Sequence, residues 1–460
     1  MNHKKRRIEL YSFYDHTGIK KHLQEMARKG WMIERISNLG WKYRKIPPAD
    51  LNFAIAYCPK ISEYDPEPTP DQQDFLDFCA HTGWHPVCTW AQMQIFYHEH
   101  KDATPIETEP ILELETIHKT AKNRFLPAYG ILFVLALFQI FLLVFGLPDN
   151  LIDLLASTSS LCSCFAWMML LLTCTAEITG YLRWYKKAKK VAEYGEFLNV
   201  KGHLWLSRII CAATVLDGIY WIISLYALKD RLLFWYGLLA LSYVVVLIIS
   251  GNAVRQFLKR KKAARIVNRT LTIAACYFLS FAFTGCITYL AVSNVFPHSE
   301  SLRQYAYDFP LTLEDLDNNV SDPYITKKLG SASLLLESAT IFQYPAPSWP
   351  DSYDPSDKEL IYTITTIRLP VLYPLCRKVL LQEMEETFDA GIPQGQQNEY
   401  QKQDPSLWNA QEVYRLVNQG TGPFHDYLIC YPGRIIKLHF SWEPTDTQIT
   451  AAARKLMPGS

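Results

Sequence analysis

The chain has 460 residues, of which 49% are hydrophobic and 20% are charged, and its formal net charge is +1. This balance argues against a dedicated nucleic-acid binder, whose domain would be strongly basic, and we expect no direct contact with nucleic acid. The 11 cysteines include no Cys-x-x-Cys pair and do not form an evident disulfide framework.

The N-terminal module, residues 1–106, begins with a strand and a helix. Residues 8–15 predict a short strand that ends at Asp15, a good helix N-cap, and the helix that follows should end at Gly30. Residues 31–46 predict either one bent strand or a tight hairpin, and residues 51–57 predict the next strand. Helical spacing predicts a buried face that consists of Ile19, Leu23, Met26 and Ala27.

A second helix has strong start signals in Thr69, Pro70 and Gln72, which form a capping box with proline at the first helical position. Gly83 should end this helix. Both helices end in Gly-Trp, and each then leads into a strand, which predicts two βαβ halves in a ferredoxin-like α+β arrangement. The buried face of the second helix is expected to contain Phe75, Leu76, Phe78 and Cys79.

The segments SFYDHTGIKKHLQEMARKGWMIERI and YCPKISEYDPEPTPDQQDFLDFCAHTGWHPVCTWAQMQIFYHE resemble the N-terminal module of a bacterial membrane-protein family, domain of unknown function 2812. The resemblance covers about residues 6–106. It implies a membrane protein of the kind found in Gram-positive bacteria and often encoded near PadR-type transcriptional regulators. The family has no established catalytic or binding residues, so the resemblance assigns none to this chain.

After a linker at residues 107–125, five apolar runs occupy residues 126–292. Each is long enough to cross a hydrocarbon core of roughly 30 Å, which takes about 20 helical residues. Five such runs in succession would leave a soluble domain no polar face, so we predict a five-helix domain embedded in the lipid bilayer. The runs cover residues 126–146, part of 154–180, 206–228, 232–251 and 270–292.

Lysine and arginine residues cluster before the first run, after the second and after the fourth, whereas the two opposite links hold only Lys229 and Arg231. Positively charged links usually remain in the cytoplasm. The sequence therefore predicts a multi-pass protein of the cell membrane with a cytoplasmic N-terminus. Five crossings then place the C-terminus on the extracytoplasmic side.

Residues 293–357 are rich in Pro, Ser, Asp and Tyr, and we expect an irregular linker with a short helix near residues 331–338. Residues 358–460 predict an extracytoplasmic α+β domain. Its expected elements are a strand at 359–368, a helix opened by Pro370, a polar loop at 391–405, a helix from Ser406 to Gly420, a hairpin that turns at 431–434, and a helix from Thr445 to Leu456.

Few sequence motifs in this chain indicate a chemical activity. The chain has no phosphate-binding loop, dinucleotide fingerprint, nucleophile elbow or His-Glu-x-x-His pair, so we predict no enzyme activity and no catalytic residue, cofactor or metal. His98-Glu99-His100 has the residue types of a metal site but is better explained as a solvated strand end. His425 and His439, with Asp426 nearby, lack an adjacent nucleophile.

Two further features have two interpretations each when only the sequence is considered. Cys376 and Cys430 are the cysteines of the predicted outer domain, and they form either one disulfide or two free thiols. Asp217 lies near the middle of the third run, where an ionised carboxylate costs several kcal/mol unless it has a partner. It is either a proton- or cation-responsive group or a packing residue bonded to Ser242, Thr173 or a tyrosine.

The leading hypothesis is a non-enzymatic membrane protein that senses or relays. An outer domain would meet a ligand or an envelope condition, and the cytoplasmic module would contact a protein partner. The alternative is a small transporter or a transport accessory protein, for which Asp217 would be the intramembrane ionisable group. The absence of visible inverted repeats counts against a typical secondary carrier.

Overall fold

The computed structural model describes residues 4–37, 40–66, 68–90, 92–100, 103–145, 151–200, 202–227, 231–292, 309–317, 324–345, 358–389, 398–418 and 422–458. The chain separates into two compact units. The first consists of Met1–Gln139 and Phe165–His298, and the second of Ile140–Cys164 and Ser299–Ser460.

The N-terminal module contains two βαββ repeats of the same topology. In each repeat, all strand pairs are antiparallel, and the first strand and the second both pair with the third. The first repeat consists of β1 (Lys4–Arg7), α1 (His16–Arg28), β2 (Trp31–Ser37) and β3 (Gly40–Lys45). The second consists of β4 (Asn52–Tyr57), α2 (Pro70–His81), β5 (His85–Trp90) and β6 (Met93–His98).

The repetition expected from the Gly-Trp pairs is thus present, but the ferredoxin-like arrangement is not confirmed. The described residues form two three-stranded sheets, because each helix is followed by a hairpin rather than by a single strand. The expected strand at residues 8–15 is also wrong. The strand lies earlier, at Lys4–Arg7, and residues 8–15 have no regular strand structure.

The helix signals of this module were mostly correct. The Asp15 carboxylate accepts a hydrogen bond from the Gly18 amide at 2.8 Å, and the buried face of α1 has the predicted residues. In α2, the Thr69 hydroxyl accepts from the Gln72 amide at 3.3 Å. Phe78 was wrongly predicted to be buried: it is 58% exposed, because the helical turn directs it about 100° away from Cys79.

Among the residues that the structure describes, the apolar segment forms five helices that are long and apolar enough to cross a membrane, as the sequence predicted. The first begins within the expected linker, since α3 continues through a π-helical turn at Ala121–Phe125 into α4. Many of their large apolar side chains are exposed in the protein alone, as expected of surfaces that face lipid. The first of these helices consists of α3 (Pro110–Thr120) and α4 (Leu126–Phe145). The other four are α6 (Thr158–Ala192), α7 (Leu204–Ala227), α8 (Arg231–Arg260) and α9 (Arg265–Val292). A short helix, α5 (Leu151–Ala156), lies between α4 and α6.

In the C-terminal unit, the described residues form a seven-stranded antiparallel sheet in the order β10-β11-β12-β13-β9-β8-β7. The strands are β7 (Tyr324–Ala332), β8 (Leu336–Pro345), β9 (Leu360–Ile367), β10 (Asn398–Gln403), β11 (Glu412–Asn418), β12 (Gly422–Tyr431) and β13 (Arg434–Phe440). Helices α5 and α10 (Tyr373–Asp389) cover one face, and α11 (Asp446–Leu456) covers the other.

Both faces of this sheet are buried, so neighbouring residues alternate between two cores. In β12, Leu428 packs with α5 and α10, whereas Ile429 packs with α11. In β13, Ile435 and Ile436 divide in the same way. The strand therefore appears as a continuous apolar run rather than as an alternating one.

Four expectations for this unit were confirmed: the strand at Leu360–Ile367, the helix after Pro370, the β12–β13 hairpin and the final helix, with Thr445 and Gln448 as its capping box. Three were wrong. The helix near residues 331–338 is part of the β7–β8 hairpin, the loop at 391–405 contains β10, and the helix expected after Ser406 is a short 3-10 turn followed by β11.

Sheet pairing explains these errors, since each segment gains a hydrogen-bonded neighbour that the sequence alone does not reveal. Three parts of the expected linker lie outside the described residues: 293–308, 318–323 and 346–357. Residues 391–397 of the expected loop and Gly420 also lie outside them.

Candidate functional site at the module–helix junction

The segment that precedes α1 packs against α6 instead of joining a sheet. The hydroxyl of Ser12 donates to Oε1 of Glu177 at 2.7 Å, and the other oxygen of Glu177 is buried without a hydrogen-bond partner in the described part of the chain. Asp15 is 2% exposed, and burial raises the pKa of its carboxyl above the usual range. Nothing in the sequence singles out Ser12 or Glu177, because the two residues are 165 positions apart.

Two glycines allow this close approach. A Cβ at Gly180 of α6 would lie 2.6 Å from the hydroxyl oxygen of Tyr14. A Cβ at Gly202 would lie 2.1 Å from an Asp15 carboxylate oxygen. Both separations are well inside normal van der Waals contact, so a side chain at Gly180 or Gly202 would displace the Tyr14 or Asp15 side chain from its observed position.

An aromatic cluster fills the space around Tyr14, which is 2% exposed. Its ring centroid lies 5.5 Å from that of Tyr181 and 5.6 Å from that of Trp184, both on α6. Phe125, the last residue of the π-helical turn before α4, lies 6.1 Å away. Nδ1 of His118 lies 2.8 Å from the Tyr181 hydroxyl, which connects α3 with α6. The module and two helices thus share one core.

Residues 60–65, here called the docking loop, connect the module with α8 and α9. Arg255 at the end of α8 forms an ion pair with Glu63. Arg265 at the start of α9 donates to the carbonyl of Lys60 at 3.2 Å and lies 3.9 Å from Asp65. From the sequence, these arginines were predicted to determine the membrane orientation and to contact anionic lipid headgroups, and a contact with the module was not predicted.

Asn268 makes the most deeply buried contact of the docking loop, since it is 0% exposed. Its Nδ2 donates to the carbonyl of Tyr64 at 3.0 Å, and its Oδ1 accepts from Thr272 at 3.3 Å. On the other side of the loop, Arg124 donates to the hydroxyl of Ser62 at 3.0 Å. The sequence alone could not have identified Asn268, because an asparagine at the first turn of an apolar helix is unremarkable.

A cleft of about 250 Å³ lies within the same unit, between α1, the start of α3 and residues 197–199. Burial, with a smaller contribution from the charge of Glu113, raises the pKa of Glu107 to about 7. Burial lowers the pKa of His16 to about 4, so this imidazole is neutral at pH 7 although Nε2 lies 3.7 Å from Glu113. The cleft thus holds a carboxyl group that can exchange a proton near neutral pH.

Asp217 lies on α7, where it is half-buried and takes part in an interaction. The hydroxyls of Ser242 and Thr173, two of the candidate partners, donate to backbone carbonyls of their own helices, at Leu239 and Met169. Whether Asp217 exchanges protons or fixes packing stays a prediction.

None of the junction contacts described above involves the cysteines and histidines that the sequence analysis named. Cys376 and Cys430 are buried free thiols of one apolar cluster. His439 pairs with Asp426 at 2.9 Å, which raises the pKa of the imidazole. The His98 ring lies 5.4 Å from that of Trp84. No group of three or more metal-binding side chains occurs among the residues that the structure describes.

The described part of the chain defines a class of protein: five apolar helices that could cross a membrane, a small N-terminal α/β module and a C-terminal sheet domain. Residues 15–128 match the family model described as Protein of unknown function (DUF2812). The chain thus carries the domain of the DUF2812 family in its N-terminal module and the start of its first apolar helix, which confirms the resemblance. No curated protein and no solved structure matches the chain.

Proposed function

We propose that this protein is a non-enzymatic sensor or relay of the cell membrane. In this proposal, the N-terminal module and the basic links lie in the cytoplasm, and the C-terminal domain lies outside, as the distribution of lysine and arginine indicates. The C-terminal domain would meet a ligand or an envelope condition. The module would bind a cytoplasmic protein, and the family's association with PadR-type regulators makes a transcriptional regulator the first partner to test.

The observation that supports a relay is the junction between the module and the helices. Residues 12–15 are bonded and packed onto α6, and the docking loop is bonded to α8 and α9. Because these contacts are buried or partly buried, a displacement of one helix against another would strain the module directly. A domain that was merely tethered would need no such contacts.

Weakening the junction should uncouple the module from the helices. In Asn268→Leu, the carbonyl of Tyr64 loses its donor, which should cost about 1–3 kcal/mol. We expect this variant to alter the same partner interactions and transcripts as deletion of residues 1–106, but less severely. The measurements are affinity capture from host membranes and transcript profiles.

Asn123→Leu is the matched control, because Asn123 is an exposed asparagine in the π-helical turn before α4 and the substitution should leave both readouts unchanged. The proposal fails if deletion of the module leaves every interacting protein and every transcript as in the wild type.

The alternative function is a small transporter or transport accessory protein, which rests on Asp217 within an apolar helix. Asp217→Asn keeps the size of the side chain and removes its charge, so it should abolish a proton- or cation-coupled transport phenotype. Solute uptake by reconstituted vesicles measures this. Unaltered transport in the variant would remove the main support for this alternative.

A further inference from the structure

A second cleft, of about 340 Å³, lies between the module and the end of α8, and we call it the basic cleft. Arg35 from β2 and Arg255 and Lys259 from α8 line it. Trp90 of β5 and the buried Gln72 of α2 complete the wall on the module side. The cleft is separate from the one that contains Glu107.

The charges of this cleft are unbalanced. Its two acidic residues are already engaged: Glu63 pairs with Arg255, and Asp65 accepts from the Ser62 amide at 2.7 Å and lies near Arg265. Arg35 and Lys259 have no hydrogen bond or ion pair within the described part of the chain. The positive charges of Arg35 and Arg255 repel the Lys259 ammonium, whereas the negative charges of Glu63 and Asp65 attract it.

Two cations that face one cleft without anionic partners repel each other, and an anion between them would relieve that repulsion. The guanidinium of Arg35 can bind two oxygens at once, Lys259 adds a point charge, and the Gln72 amide offers a further donor. This donor set matches a phosphate group. It does not match a cation, which would meet the excess positive charge.

The position of the cleft identifies a source for such a phosphate. Lys259 lies in the last turn of α8, where the apolar part of that helix has ended. Lipid phosphates lie at this boundary of the hydrocarbon core, and basic pockets there can hold anionic headgroups. We propose that the basic cleft binds a phosphate-bearing anion, supplied in the membrane by the headgroup of an anionic phospholipid.

The experiment uses the purified full-length protein in nanodiscs of phosphatidylcholine, with and without added phosphatidylglycerol. Thermal unfolding and native mass spectrometry report stabilisation and bound lipid. We expect phosphatidylglycerol to stabilise the wild type, and we expect Arg35→Gln and Lys259→Gln each to weaken binding about tenfold, as for loss of one charge-assisted hydrogen bond. Lys259→Arg keeps the charge and should retain binding.

Arg260→Gln is the matched control, because Arg260 adjoins Lys259 but is exposed and does not line the cleft. A second arm titrates inorganic pyrophosphate into phosphatidylcholine nanodiscs. Stabilisation by pyrophosphate that Arg35→Gln abolishes would support the phosphate site and assign a soluble ligand to it. Equal lipid binding by all variants, or an equal loss in Arg260→Gln, would overturn the proposal, as would the absence of any effect in both arms.

Discussion

Glu107 illustrates how burial changes the behaviour of a single residue in this protein. One of its carboxylate oxygens is buried without a hydrogen-bond partner in the described residues, and the pKa of the group rises to about 7. The sequence around residue 107 is an ordinary stretch of polar and proline residues and contains no sign of this. Asp15 behaves in the same direction, because it too is buried. Such groups make the stability of the module depend on pH.

We expect Glu107→Gln to stabilise the protein at high pH. A carboxyl whose pKa is raised by folding stabilises the folded state only while it is protonated, so its contribution is lost as pH rises from about 4.5 to about 7. The glutamine variant should therefore lose less stability over this range and should be more stable at pH 8 by roughly 1–2 kcal/mol, allowing for solvent in the open cleft.

Thermal unfolding of the full-length protein in detergent between pH 4 and pH 8 measures this difference. Glu109→Gln serves as the control, since Glu109 is exposed and does not line the cleft. Parallel pH profiles of the wild type and Glu107→Gln would contradict the assignment.

At the scale of the element, glycines fix the ends of helices in the N-terminal module. Gly30 and Gly83, which follow α1 and α2, have φ values of +80° and +83°. A side chain at Gly30 would meet a second obstacle, because its Cβ would lie 2.9 Å from the carbonyl oxygen of Ile46. Few residues other than glycine adopt this conformation readily. The sequence predicted both helix ends on this basis, and the structure has glycine in this conformation at both.

Gly30→Ala should destabilise the protein more than Gly195→Ala does. Gly195, after α6, has a φ of +79°, but a Cβ added there would meet no atom within 4 Å, so its substitution should cost only the backbone strain of about 1 kcal/mol. Gly30→Ala adds the clash with Ile46 and should cost about 1–2 kcal/mol more. Thermal melts of both variants measure the difference, and equal losses would show that the backbone at residue 46 adapts.

At the scale of the whole molecule, five apolar helices imply that the two ends of the chain lie on opposite sides of a membrane, if all five cross it. We predict that a reporter active only outside the cell will function when fused after Ser460, and that one active only in the cytoplasm will not. Ser460 itself lies outside the described residues.

The reverse pattern would mean that one apolar helix does not span the membrane. The serine-rich second run would then be the first helix to test. Both soluble domains would share the cytoplasm, and the protein would be a membrane-tethered partner-binding module. Fusions after residue 106 provide the control, since the module should be cytoplasmic in either case.

Features that depend on local physics could be predicted from the sequence. Apolar length identified the five helices, and capping residues and glycines located the ends of α1, α2 and α11. Helical spacing also gave the buried face of α1. These features could be predicted because each depends on residues that are close together in the chain.

Features that depend on distant partners became visible in the folded chain and could not be predicted from the sequence. Strands β7, β8, β10 and β11 exist because of pairing within a seven-stranded sheet, and the sequence had suggested loops or helices there. The junction joins Ser12 to Glu177 and Tyr64 to Asn268 across more than 160 residues. Such contacts form because burial leaves polar groups in need of partners, and a single sequence does not reveal which distant residue supplies them.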